Sequence, residues 1–193
     1  MTGVLMILAA LFAENYALTS AFGSETLLYG IVEKKTAWRL CFLSSFSAFG
    51  ASVLTALLDR FVLTPLEMRD LGFFFVLVFT AVFVLFPAAV LYLRHPKRYG
   101  GLEKYLPFVC LNGAGIGIFL RVRDAGQSLP RTVLYALAAS VGLLLAQGLM
   151  MLVCERLREE HIPKPFRGLP VRLIAAALLS LVFSGFCGTS PWF

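Results

Sequence analysis

The sequence has 193 residues, of which 59% are apolar and only 15% are charged, with a formal net charge of +6. Soluble domains contain about 45–50% apolar and about 25% charged residues, so this composition excludes a water-soluble enzyme and a disordered chain. The 17 Lys and Arg residues stand in short clusters between long apolar runs. That distribution is typical of polytopic membrane proteins, and it excludes a basic patch for nucleic acid.

Six apolar stretches are candidates for membrane-spanning segments, since a spanning helix needs about 20 apolar residues. The first 24 residues contain one charged side chain, Glu14. The other five stretches are uncharged and are, in chain order, Leu40–Leu58, Leu71–Leu93, Tyr105–Leu120, Thr132–Cys154 and Leu173–Phe193. These stretches predict an all-α polytopic membrane protein with six transmembrane segments in a single membrane domain, residues 1–193.

The loops between these segments differ in their content of Lys and Arg. The loops after segments one, three and five hold twelve such residues, whereas the loops after segments two and four hold five. Because the side richer in Lys and Arg is normally cytoplasmic, both termini are expected on the outer side of the membrane.

The two halves of the chain, about residues 1–97 and 98–193, share features in the same order. Asn15 and Asn112 lie inside segments one and four, and the acidic–arginine pairs Asp59-Arg60 and Glu155-Arg156 end segments two and five. Each half contains three segments, an odd number, so the halves enter the membrane in opposite directions. The sequence therefore predicts two inverted three-helix repeats, in which segments one and four are broken half-helices.

In inverted repeats the functional site lies at the midplane, where broken helices meet. Glu14, Asn15 and Asn112 are therefore candidates for an ion path. Glu14 would lie about 20 Å along a helix that rises 1.5 Å per residue, a depth at which a carboxylate is costly and is by default functional. The alternatives are a protonated carboxyl bonded to a neighbouring helix, and glycines that only allow close packing. The other carboxylates, Asp59 among them, stand in loops or at span ends and are expected to be solvated.

Blocks of sequence along essentially the whole chain resemble the Rnf/Nqr integral membrane subunit family, and within it the A-type member of Rnf and its E-type counterpart in Nqr. The blocks are Glu14-Asn15-Tyr16-Ala17-Leu18, then Leu106-Pro107 with Asn112 and Gly117, then Glu155-Arg156-Leu157 with Ile162-Pro163-Lys164-Pro165-Phe166-Arg167-Gly168, and finally Phe183-Ser184-Gly185-Phe186.

This resemblance implies a multi-pass subunit of the bacterial inner membrane. Its complex would couple electron transfer to the translocation of Na⁺ or H⁺. The implied partners are a homologous sister membrane subunit of opposite topology and further Rnf/Nqr-type subunits. The resemblance also implies a two-iron two-sulfur cluster between the sister subunits, with one cysteine from the first and one from the fourth helix of each.

The cysteine positions that the resemblance implies are substituted here. They are occupied by Glu25 and Gly113, and the nearest thiol, Cys110, lies three residues before Gly113. Such clusters are ligated by thiolates, with His as the usual substitute. An acidic residue common on the family's third helix is also replaced, by Ala88. The sequence thus predicts a diverged member that lacks its own cluster ligands, and we assign it no catalytic residue and no metal site.

Two other functions remain open from the sequence. One is a small inverted-repeat ion or secondary transporter that uses Glu14 and Asn15/Asn112 at the midplane, and the other is a purely structural role in assembly. The chain contains no soluble domain for NADH, flavin or ferredoxin. By itself it is therefore not expected to be catalytic, and redox chemistry would belong to the assembly.

Overall fold

The structure, a computed structural model, describes residues 7, 10, 11, 34–94, 99, 102–126, 128–157 and 163–187. The regular secondary structure of these residues is entirely helical, which confirms the predicted all-α class. The first predicted segment lies outside the described residues except for Ile7, Ala10 and Leu11. Glu14, Asn15 and Glu25 therefore lie outside them as well.

The α-helices of the described chain follow the apolar stretches of the sequence. They are α1 (Lys34–Leu58), α2 (Gly72–Arg94), α3 (Leu106–Cys110), α4 (Ala114–Asp124), α5 (Leu129–Arg156) and α6 (Leu169–Cys187). A π-helical turn, Asp59–Leu63, continues α1, and 3-10 turns at Arg69–Leu71, Glu103–Tyr105 and Lys164–Phe166 precede α2, α3 and α6.

Four helical stretches of the described chain are long and apolar enough to cross a membrane. They are Thr36–Leu63, Arg69–Arg94, Glu103–Asp124 and Leu129–Arg156, and a shorter apolar helix covers Leu169–Gly185. These four coincide with predicted segments two to five, which confirms a polytopic membrane protein. The six-segment count and the inverted repeat stay predictions.

Helix α1 lies at the centre of the described bundle and contacts α2, α4 and α5. Small residues such as Ala48 on α1 and Ala114 on α4 are fully buried there. A Cβ added to Gly115 would lie 3.3 Å from Thr80 Oγ1 and 3.7 Å from Ala48 Cα. Since small residues let membrane helices approach closely, the start of α4 fits between α1 and α2.

Segment one approaches α5 at Gly142. A Cβ on Gly142 would lie 2.8 Å from the Leu11 carbonyl oxygen and 3.2 Å from Leu11 Cα. Only glycine permits such a backbone-to-backbone approach without displacement. Ala10, in the same turn, is fully buried in the main apolar cluster. The described turn of segment one is thus part of the packed bundle.

Candidate functional site: a polar junction at a broken helix

The fourth predicted segment is interrupted, as the sequence predicts. Helix α3 ends at Cys110 and α4 begins at Ala114. Between them, the side-chain Oδ1 of Asn112 accepts a hydrogen bond of 2.9 Å from the backbone N–H of Ala114. This Asx turn replaces helical bonding with a local side-chain bond. Gly115 and Gly117, which were expected to contribute to the interruption, lie within α4 instead.

Asn112 also connects the break to two other helices. Its Nδ2 donates a hydrogen bond of 2.6 Å to Ser44 Oγ on α1, and Nε2 of Gln147 on α5 donates one of 3.1 Å to the same oxygen. A hydroxyl oxygen has two lone pairs and can accept both. Asn112 and Ser44 are 0% exposed and Gln147 is 2% exposed. We call these three residues the polar junction.

The polar junction consists of neutral amide and hydroxyl groups only. Further buried hydroxyls line α1 beside it: Ser47 Oγ donates to the Ser44 carbonyl oxygen at 2.9 Å, and Ser45 Oγ makes no hydrogen bond within the described chain. Amide and hydroxyl oxygens can bind water or a dehydrated cation. They do not titrate near neutral pH, so a proton could pass here only with help from a carboxyl group.

Two members of the polar junction were missed in the sequence. Ser44 and Gln147 each stand inside an uncharged stretch, where a polar side chain is expected to bond across helices. That signal was present for Gln147. For Ser44 it was obscured by the neighbouring Ser45 and Ser47, which the sequence gives no reason to rank lower.

One expectation from the sequence is wrong. Asp59 was expected to be a solvated span-end charge, but it is only 7% exposed. The helix does not end at Leu58, because the π-helical turn Asp59–Leu63 continues it. Asp59 therefore packs among the ends of the other helices. Its counterpart in the second half, Glu155, is exposed.

Comparison with known proteins identifies the family. A family profile described as "Rnf-Nqr subunit, membrane protein" matches residues 4–190. The chain belongs to the Rnf-Nqr membrane subunit family. Its relatives include the A-type subunits of the "Ion-translocating oxidoreductase complex" of three bacteria: it is 32% identical over 186 residues to that of Histophilus somni, 31% over 186 residues to that of Actinobacillus pleuropneumoniae and 32% over 189 residues to that of Proteus mirabilis. In each case the match covers 96% of both chains, which confirms the resemblance seen in the motifs.

The described residues of this Rnf-Nqr subunit do not fit the iron–sulfur cluster that the resemblance implies. Gly113 follows the polar junction and offers no side-chain ligand, whereas the cluster needs thiolate or imidazole groups. Cys110 is half-buried and packs against an apolar cluster that includes Leu106, Val109 and Ala88. The described ranges contain no group of three or more His, Cys, Asp or Glu residues that could hold a metal ion.

The backbone itself does not demand glycine at position 113. Gly113 has φ −71° and ψ −11°, a right-handed conformation open to every residue type. A cysteine side chain is therefore compatible with this backbone conformation. The lack of a ligand at this position is a property of the residue and not of the fold.

Proposed function

We propose that the chain is an integral membrane subunit of an Rnf/Nqr-type ion-translocating oxidoreductase complex, and a diverged member without its own cluster ligands. The observation that carries the proposal is the polar junction beside Gly113. Asn112 holds the helix break in shape while the next position has no ligand. The names of the relatives support membership of a complex.

The retained role in this proposal is to scaffold the partner subunits and to form part of the path for Na⁺ or H⁺. Glu14, Asn15 and Asn112 are its candidate residues. The contact between Gly142 and Leu11 supports this assignment, because Gln147 lies on the same helix only five residues after Gly142, or about 7.5 Å along its axis. Segment one therefore passes close to the polar junction.

The proposed architecture has six spans in two inverted repeats, about residues 1–97 and 98–193, within one domain. Both termini face the outer side of the bacterial inner membrane, and a homologous sister subunit of opposite topology packs alongside. Helix α2 supports a lipid-facing or subunit-facing position. Among its residues, only a strip at four-residue spacing is buried: Gly72, Val76, Thr80, Val84 and Ala88.

Purification of the tagged chain from its own host in mild detergent tests the proposal. We expect homologous membrane subunits and redox subunits to co-purify and to be identified by mass spectrometry. Recovery of the chain alone as a single stable species would contradict membership of a complex. A tagged, unrelated multi-pass protein from the same membrane serves as the control for non-specific recovery.

The second candidate is a small ion or secondary transporter, and the interrupted α3–α4 span with its buried neutral oxygens favours it, since broken helices line transporter sites. The test is ion uptake into proteoliposomes by the chain alone, compared with the Glu14→Gln variant. Uptake that depends on Glu14 would support the transporter. If a complex forms but neither uptake nor coupling changes in the variant, the purely structural role is the better description.

A further inference from the structure

A second polar site lies where the ends of four described helices meet. A cavity of about 200 Å³ is lined by Asp59 after α1, Arg69 before α2, Arg123 near the end of α4 and Thr132 at the start of α5. Asp59 follows Ser44 by 15 residues, or about 22 Å along the helix. The cavity is therefore separate from the polar junction and lies at the end of the spans.

Asp59 contributes a buried carboxylate that lacks a direct hydrogen bond within the described chain. Its Oδ1 is buried without a partner, and its Oδ2 lies 4.0 Å from Arg69 Nη2. A distance of 4.0 Å is too long for a hydrogen bond, although the two charges attract. Buried carboxylates are normally hydrogen-bonded, so this oxygen calls for a donor from outside the surrounding side chains.

Three arginines line the same cavity as this single carboxylate: Arg60, Arg69 and Arg123. The lining charge is therefore positive overall. Arg123 is fixed in place, because its guanidinium stacks over Phe73 and Phe119 with the central carbon 5.3 and 5.7 Å from the ring centroids. Its Nε lies 3.8 Å from the exposed Asp124. A preorganised guanidinium is well suited to a phosphate group.

We propose that this cavity binds the headgroup of a phospholipid that carries a primary amine. The phosphate would contact Arg69 and Arg123, and the ammonium would donate to Asp59. A phosphate alone would meet the carboxylate of Asp59, and a simple cation would meet the three arginines. An aminoalkyl phosphate satisfies both signs of charge. Basic pockets at the ends of membrane helices are typical sites for lipid headgroups.

The experiment compares ligands that differ in one feature each. The full-length protein, purified with its bound subunits and stripped of lipid in detergent, is titrated with phosphatidylethanolamine, phosphatidylcholine, phosphatidylglycerol and chain-free phosphoethanolamine. Native mass spectrometry gives each apparent dissociation constant. Choline carries the same charge as ethanolamine but has no N–H donor. A hydrogen bond to a charged group supports a preference of about tenfold for ethanolamine.

The variants separate the two halves of the headgroup. We expect Asp59→Asn to remove most of the preference for ethanolamine over choline, and Arg69→Gln to weaken both lipids by a similar factor. Arg69 has a side chain that is 55% exposed, so its replacement should not prevent folding. Arg94→Gln, an exposed arginine at the far end of α2, is the control and should change nothing.

Several outcomes would overturn the proposal. Equal binding of the ethanolamine and choline lipids to the wild-type protein would remove the role of Asp59, and so would an unchanged preference in Asp59→Asn. Tighter binding of phosphatidylglycerol would make the cavity a general site for anionic lipids. If phosphoethanolamine binds as tightly as the intact lipid, the ligand is a free aminophosphate and not a lipid.

Discussion

The polar junction predicts an unusually large effect from removing one hydroxyl group. Ser44 Oγ accepts hydrogen bonds from both Asn112 Nδ2 and Gln147 Nε2, so Ser44→Ala removes a shared acceptor from two buried amides. Hydrogen bonds between membrane helices contribute about 0.6 kcal/mol on average and at most about 1.7 kcal/mol. The loss of two should lower the free energy of unfolding by about 1–3 kcal/mol.

The same helix offers a matched control for this change. Ser52, also on α1, donates only to the carbonyl oxygen of Phe49 within its own helix, at 3.0 Å. Ser52→Ala therefore removes a hydroxyl of the same kind without disconnecting any other helix. Its effect should stay within about 0.5 kcal/mol, the range for substitutions that break no buried network.

Unfolding in mixed micelles with increasing SDS, followed by far-UV circular dichroism, measures both variants. A double-mutant cycle with Ser44→Ala and Gln147→Leu should show a coupling energy of about 0.5 kcal/mol or more, as expected for residues in one network. If Ser44→Ala costs no more than Ser52→Ala, or if the cycle shows no coupling, then the junction does not connect these helices energetically.

Two further predictions use the same unfolding assay. Gly142→Ala should cost about 1–3 kcal/mol through overpacking, because its Cβ would lie 2.8 Å from the Leu11 carbonyl oxygen, whereas Gly148→Ala should be nearly neutral, because its nearest neighbour, a carbon of the Trp38 ring, is 3.4 Å away. Equal costs would argue against the close approach of segment one. Arg123→Gln should lower stability by about 0.5–1 kcal/mol by removing its two ring contacts, and Arg123→Lys should recover less than half of this if the planar guanidinium is what matters; full recovery by lysine would contradict the stacking.

The sequence was sufficient for those features that depend on local composition. Uncharged stretches located α1, α2 and α5 to within a few residues, because a spanning helix must be apolar along its length. The break at Asn112 could also be predicted, since an asparagine followed by glycine offers the backbone a local alternative to the helix. These are properties of a short segment and need no knowledge of its neighbours.

The features that the sequence did not reveal depend on neighbours. Ser44 and Gln147 are distant in sequence, and only the packing of α1 against α5 brings them to one oxygen. Asp59 has the local pattern of a solvated span end, yet Phe119, Val122 and Leu129 from other helices line its surroundings. Burial of this kind is decided by tertiary packing, which hydropathy along one chain does not record.

The central claim is that this Rnf-Nqr subunit keeps the family's helix break but not its cluster ligands, and iron content tests it most directly. The complex is isolated through a tag on this chain, in the wild-type form and as the Glu25→Cys/Gly113→Cys variant, and iron per copy and the electron paramagnetic resonance spectrum are compared. We predict that only the variant gains a two-iron two-sulfur signal, because Cys110 cannot replace the missing ligands. A wild-type complex that already carries this cluster, with the signal lost in Cys110→Ser, would contradict the account.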